Sequence, residues 1–297
     1  MYRNVGRITL AGARGLCCAL VVGLGTVAGL LAGDEAPQSS PERAALQEPP
    51  TFITAQHHFY NARYEAAAAL TLALRSSAPA DLANDELRSS ALLFQLKGLI
   101  ERPADKDGDR AERLRTCAAC PALMTAFFED IRHGQTQARA MLRARPGDDE
   151  ALFFLGKLDL NYVWLQLGTL GRKTGWDEYW EARRSLDAVL KAHPQHVRAL
   201  VARAWIDYIV DTKMPWGTRW VLGGGSKKRG LNAVRNAAQM PSEFFTHAEA
   251  EFALWDMHVR EREMTKATEV ARRLVTDLPD NLELARFLEA REATAGK

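Results

Sequence analysis

Residues 180–195, WEARRSLDAVLKAHPQ, carry the pattern that decides the predicted fold of this chain. Ala182, Leu186 and Val189 stand four and three positions apart, which is the spacing of one face of an α-helix. Pro194 follows them, and because proline has no backbone amide hydrogen it cannot continue a helix. The segment therefore predicts a helix that packs through one small and two larger apolar residues and then ends.

The same arrangement recurs in residues 266–280, KATEVARRLVTDLPD. Ala267 and Pro279 stand in this segment at the offsets that Ala182 and Pro194 have in the first. Counting onward from Pro194, and likewise from Pro146, places the first helix of the following unit. The residues aligned in this way are Leu152, Leu155, Gly156, Leu200 and Ala204. A fixed period with matched terminators predicts repeated helix pairs.

Weaker copies flank these units in residues 57–79 and 230–241. Their aligned residues are Ala67, Leu74, Pro79, Gly230, Val234 and Ala237. Each copy combines a small residue for close helix crossing, larger residues for the pair interface and a terminal proline. This pattern resembles the second helix of a tetratricopeptide repeat, most clearly from residue 150 onward. The resemblance implies an all-α fold, an α-solenoid of about five stacked antiparallel helix pairs over residues 51–297, whose concave face is lined by first helices and binds proteins. An irregular helical bundle is the alternative.

The amino-terminal 50 residues differ from the rest. Arg3, Arg7 and Arg14 occur without any acidic residue and precede an apolar run over residues 15–33. This pattern predicts export, with residues 1–33 as a signal peptide or an inner-membrane anchor, and a protein that faces the periplasm. Residues 34–50 are rich in proline, serine and charge, which predicts a flexible tether.

Two connections within predicted helix pairs are long, namely residues 160–176 and 211–228. They contain four of the seven tryptophans together with several basic residues. Because turns from first to second helices lie along one edge of a stack, they predict a candidate interaction edge. Its residues are Trp164, Trp176, Trp216, Trp220, Lys213, Arg219, Lys227 and Lys228. A partner surface, contact with a membrane surface and capping of the core all remain open for it.

A glycine run, residues 223–225, precedes Ser226. It lacks the spacing of a phosphate-binding loop, so we expect a helix that begins with Ser226 as its N-cap. The surrounding stretch LGGGSKKRGLNAVRNAA also resembles the Gly-Gly helix entry of helical-repeat lipoproteins associated with periplasmic solute transporters. That resemblance implies small-ligand binding as an alternative function.

Cys117 and Cys120 form the motif CAAC, which predicts a local disulfide in an oxidising compartment. A reactive pair or a metal site are the alternatives, although no second cysteine pair completes a zinc site. The seven histidines, such as the adjacent His57 and His58, show no ligand spacing, and the acidic stretch from Asp105 reads as a solvated linker.

The charge and the motifs of the sequence limit which classes of function we expect. A net charge of +2 gives no general attraction to nucleic acid. No catalytic triad, paired carboxylate or nucleotide motif is present in the sequence, so we expect neither an enzyme nor a bound cofactor or metal. The predicted function is a non-catalytic scaffold or adaptor for protein partners in the cell envelope, with a possible membrane surface as a further contact. The alternative is a periplasmic accessory protein that binds a small ligand for a transporter.

Overall fold

The computed structural model describes residues 51–78, 80–101, 107–172, 174–213 and 216–295. Every regular element in these ranges is helical, so the all-α prediction is confirmed. The predicted export segment (1–33) and tether (34–50) lie outside the described residues. Within the ranges that are described, no helix combines the length and the apolar character needed to cross a membrane.

Thirteen α-helices and one π-helical turn follow one another along the described ranges. They are α1 (Phe52–Tyr60), α2 (Tyr64–Ser77), α3 (Leu82–Ile100), α4 (Asp107–Thr116), α5 (Cys120–Ala144), α6 (Asp149–Val163), the π turn (Trp164–Thr169), α7 (Trp176–Ala192), α8 (Val197–Lys213), α9 (Trp216–Val221), α10 (Lys227–Gln239), α11 (Phe244–Arg260), α12 (Met264–Asp277) and α13 (Leu282–Ala295).

Most of these helices associate as pairs. The pairs in contact are α1 with α2, α3 with α5, α6 with α7, α8 with α10, and α11 with α12. Each second helix also contacts the first helix of the next pair, and α13 packs on α12 after the last pair. The short elements α4, the π turn and α9 lie in the connections between the two helices of a pair. The prediction of a solvated linker from Asp105 onward is therefore wrong in part, because α4 begins at Asp107.

Local signals start several helices. The side chains of Asp81 and Asp148 accept backbone hydrogen bonds from Ala83 and Ala151 and so cap α3 and α6. Ser226 does the same for α10 through Arg229 N, so the predicted N-cap is confirmed. These bonds satisfy amide groups that have no partner inside the helix.

Small residues lie where paired helices cross. A Cβ on Gly156 would lie 2.9 Å from Leu186 Cγ across the α6–α7 contact, and a Cβ on Gly230 would lie 2.7 Å from the Ala204 carbonyl oxygen across α8–α10. Ala182 and Ala267 are fully buried in α7 and α12. Pro194 and Pro279 occupy the turns before α8 and α13. The periodic small residues thus allow helix backbones to approach closely.

The first helices of the pairs form a closed circuit of contacts. In order α1, α3, α6, α8 and α11 each touch the next, and α1 also touches α11. The ring of Tyr60 at the end of α1 stacks on Phe245 and Phe252 of α11, with centroids 5.5 and 5.8 Å apart. Asn281 Nδ2, just before α13, donates to the Tyr60 carbonyl oxygen at 2.6 Å. The first and last helix pairs of the described region are therefore joined.

Candidate functional site

Four charged side chains from four different first helices meet inside the circuit. We call Glu86 of α3, Lys157 of α6, Arg198 of α8 and Glu249 of α11 the central ion cluster. Glu249 accepts from Lys157 Nζ and from Arg198 Nε, each at 2.6 Å. Glu86 lies 3.0 Å from Arg198 Nη2 and 3.4 Å from Lys157 Nζ. Two carboxylates and two cations therefore balance one another.

The electrostatics of the cluster favour the charged forms of Glu249 and Lys157. Burial alone would raise the pKa of Glu249, but the neighbouring charges of Arg198 and Lys157 lower it to about 2. Burial alone would lower the pKa of Lys157, yet the charges of Glu249 and Glu86 raise it. Opposite charges at hydrogen-bond distance thus outweigh the cost of removing these groups from bulk water.

The cluster occupies the inner face that the sequence predicts to be an open protein-binding groove. An α-helix with its side chains is about 10 Å wide, whereas here single side chains span the distance between four helices. No helix fits between these four groups, which are already in contact, and protein binding through the rest of the inner face stays a prediction. The side chains of Lys157 and Arg198 are still 16% and 22% exposed, so solvent reaches part of the cluster.

A second feature lies where first helices connect to second helices. Three of these connections are long, over residues 101–119, 164–175 and 214–226, whereas α1–α2 and α11–α12 are joined by short turns. Because each helix packs against and runs back along its predecessor, these connections emerge at one end, which we call the connection edge. The second and third connections are predicted from the sequence, whereas the first is not, because its acidic residues are interpreted there as a linker.

Hydrogen bonds hold the connections in place. Arg110 Nη1 of α4 donates to the Gly168 carbonyl oxygen of the π turn at 2.9 Å. Thr169 Oγ1 donates to Glu101 Oε1 at 2.7 Å, which links the π turn to the end of α3. Two of the three connections are therefore tied directly to each other.

The third connection is tied to α7. Tyr179 Oη and Arg183 Nη1 both donate to the Leu222 carbonyl oxygen at 2.9 Å, and Arg183 Nη2 donates to Gly223 O at 3.0 Å. Leu222 itself is buried with Val163 and Tyr179. Gly223 adopts φ +75°, a left-handed conformation that glycine reaches without strain, so the chain can turn here.

The predicted tryptophans separate into different environments. Trp164 is partly buried, with its ring 5.9 Å from that of Trp205 in an edge-on contact, so it packs on the core and only part of it is available to an interaction edge. Trp176 begins α7 and is 39% exposed. Trp216 and Trp220 lie on α9, and their side chains lie outside the described part of the structure. Val221 at the end of α9 is 61% exposed and was missed, because a single valine gives no sequence signal.

Two of the four predicted basic residues form ion pairs. Arg219 lies 2.5 Å from Asp211, and Lys227 lies 2.6 Å from Glu261, which raises the pKa of Lys227 through that hydrogen bond. Lys228 is exposed and lines a shallow groove with Ser226. Lys213 ends α8, and its side chain lies outside the described set. Pairing reduces the positive field that this edge presents to an anionic surface.

Cys117 and Cys120 are joined by a disulfide at the end of the first long connection. Elsewhere, His193 pairs with Asp149 and the ring of His196 packs on Phe153. The described residues contain no group of three or more His, Cys, Asp or Glu side chains arranged to hold a metal ion.

The resemblance to tetratricopeptide repeats comes from the spacing of small residues and prolines along this chain. The contacts at Gly156 and Gly230 show why such spacing suits paired helices. No protein-family model matches the chain, and no curated protein matches it in sequence.

Proposed function

We propose that this protein is an exported adaptor, a tetratricopeptide-like stack of helix pairs that binds a protein partner through its connection edge. The observation that carries the proposal is the presence of two exposed apolar side chains, Trp176 at the start of α7 and Val221 on the third connection, which hydrogen bonds hold to α7. Residues 1–33 direct export in this proposal, and residues 34–50 serve as the tether. Binding through this edge requires no catalytic step, cofactor or metal.

The positions of these two side chains favour one continuous contact. Trp176 lies one helical turn before Tyr179, and Val221 adjoins Leu222, whose carbonyl oxygen accepts the Tyr179 hydroxyl. Tryptophan is enriched among residues that dominate interface energies. Complete burial of such side chains contributes about 1.5–3 kcal/mol each. A surface that is already ordered also loses less conformational entropy on binding.

Charge distribution favours a protein over a membrane as the partner. Attachment to an anionic bilayer needs unpaired cations, since each contributes about 1 kcal/mol near the surface. At the connection edge Lys227 and Arg219 already have carboxylate partners. A protein interface tolerates such rim ion pairs, because its affinity comes mainly from a few buried apolar anchors.

The experiment compares Val221→Asp with Leu282→Asp in the full chain expressed in its native host. Both wild-type side chains are 61% exposed, but Leu282 begins α13 and lies away from the connections. Affinity purification after in vivo crosslinking should lose a specific partner with Val221→Asp and retain it with Leu282→Asp. Equal retention of the partner by both variants contradicts the proposal. A partner that is recovered only from samples that contain membrane vesicles also contradicts it.

A second candidate is a small-ligand accessory role, favoured by the partial exposure of Lys157 and Arg198 inside the circuit. In this role, a polar molecule of a few atoms would contact the exposed parts of Lys157 and Arg198. The test is a thermal-shift screen with amino acids and small dicarboxylates. A ligand that raises the melting temperature of the wild type but not of Lys157→Met supports this role, and the absence of any shift argues against it.

A further inference from the structure

The two sulfur atoms of CAAC lie in unequal surroundings. Cys120 is the first residue of α5, is fully buried and belongs to the apolar cluster that includes Phe127. Cys117 precedes the helix and is partly exposed, and the two residues between them, Ala118 and Ala119, are both exposed. Of the two cysteines, only Cys117 therefore keeps surface that an incoming group can approach.

The backbone at the start of α5 favours negative charge on Cys117. The Cys120 N–H donates to Cys117 Sγ at 3.1 Å and also to the Cys117 carbonyl oxygen at 3.3 Å. This amide is among the first of a 25-residue helix whose N-cap, Ala119, offers no side-chain acceptor. Helix amino ends carry a partial positive charge, so a thiolate at this position gains both a hydrogen bond and a favourable field.

We propose that Cys117 and Cys120 form a thiol–disulfide exchange site that acts on cysteine pairs of other proteins. A partly exposed cysteine, a fully buried partner and an amide hydrogen bond to the outer sulfur are the features that suit such a site, and they coincide here. The neutral, small side chains of Ala118 and Ala119 impose no charge selection, which suits an extended segment of another polypeptide. This inference is independent of the adaptor proposal and concerns the chemistry of the disulfide alone.

The exchange balances without a further reagent. A thiolate of the substrate attacks Cys117 Sγ, a new S–S bond forms, and the bond between Cys117 and Cys120 breaks. The electron pair goes to Cys120 Sγ, which takes up the proton lost by the substrate thiol. The second thiolate of the substrate then attacks the first substrate sulfur, which is bonded to Cys117 in the mixed disulfide. The substrate disulfide forms, and Cys117 leaves as the thiolate. The substrate pair is oxidised by two electrons and the CAAC pair is reduced; the reverse sequence with another disulfide restores it.

The test uses the full chain with Cys17 and Cys18 replaced by alanine, so that Cys117 and Cys120 are its only cysteines. With oxidised glutathione as the probe, the reduced Cys120→Ser variant should accumulate a stable mixed disulfide on Cys117, detected by intact-mass spectrometry. The matched Cys117→Ser variant should react at least ~10-fold more slowly, because its remaining thiol is buried. Folded Cys120→Ser should also react with iodoacetamide at about pH 6 roughly tenfold faster than the same chain in urea, since folding stabilises the thiolate.

Two outcomes overturn the proposal. The first is equal glutathione uptake by the two variants while circular dichroism shows unchanged helix content. The second is an intact disulfide that exchanges with a peptide dithiol only in urea and never in native buffer. The second measurement uses the unsubstituted pair, so it decides the question even if either serine variant fails to fold.

Discussion

Replacing Glu249 by glutamine is the most informative perturbation of the fold, because this carboxylate receives two charged hydrogen bonds at 2.6 Å from different helices. The glutamine keeps the size of the side chain and removes only its charge. Lys157 and Arg198 then share a single carboxylate, Glu86, in a region with little solvent. We expect the free energy of unfolding at pH 7 to fall by about 3 kcal/mol, at the lower end of the cost of breaking a buried ion pair.

The pKa of Glu249 leads to the same magnitude. A pKa of about 2 in the folded protein, against an ordinary value of 4.5, corresponds to about 3 kcal/mol of preferential stabilisation of the charged form. Because the folded-state pKa is the lower one, this stabilisation is complete above pH 4.5 and is lost as the pH falls toward 2. The difference between wild type and Glu249→Gln should shrink over that interval.

The assay is urea unfolding of both proteins at pH 7 and at about pH 3, followed by circular dichroism. Glu112→Gln is the control, since Glu112 pairs with Arg115 on an exposed surface and should contribute less than about 1 kcal/mol. If Glu249→Gln destabilises no more than this control at pH 7, or if its effect is unchanged at the acidic pH, the reasoning about the central ion cluster is refuted.

Three further expectations concern local packing. Gly98→Ala should stabilise the protein by roughly 0.5–1 kcal/mol, because nothing lies within 4 Å of the added carbon. Gly156→Ala should destabilise it by about 1–3 kcal/mol through overpacking at the helix crossing. The midpoints of urea unfolding measure both changes, and equal effects would contradict the close crossing at Gly156. Ser226→Ala should cost about 1 kcal/mol by loss of the cap, with no change expected if the hydrogen bond is absent in solution. Trp164→Ala should lower the melting temperature much more than Trp176→Ala, and the opposite order would return Trp164 to the surface.

Local patterns accounted for the secondary structure. Apolar spacing, proline terminators and the Ser226 cap act within a few residues, so each can be seen in a short window of sequence. The close crossings at Gly156 and Gly230 were also foreseeable, because a small residue at a fixed offset has a direct steric meaning. The first long connection was missed, since its acidic stretch resembles a linker as much as the start of α4.

The candidate sites were harder to foresee. Trp164 and Trp176 belong to one predicted connection and have similar sequence surroundings, yet one packs on Trp205 and the other faces solvent. Composition cannot separate them, because burial depends on the π turn that begins at Trp164 and on the position of α8. The inequality between Cys117 and Cys120 likewise depends on where α5 begins and on which apolar cluster it enters.

The sequence by itself determined that the chain is helical and where its helices end, because these properties depend on hydrogen bonds and contacts among near neighbours. Only the tertiary structure decided that α1 meets α11 and that Glu86, Lys157, Arg198 and Glu249 fill the inner face. Those residues are far apart along the chain, and no periodic pattern connects them. Their association depends on the summed rotations between successive helix pairs, a quantity that no short segment of sequence contains.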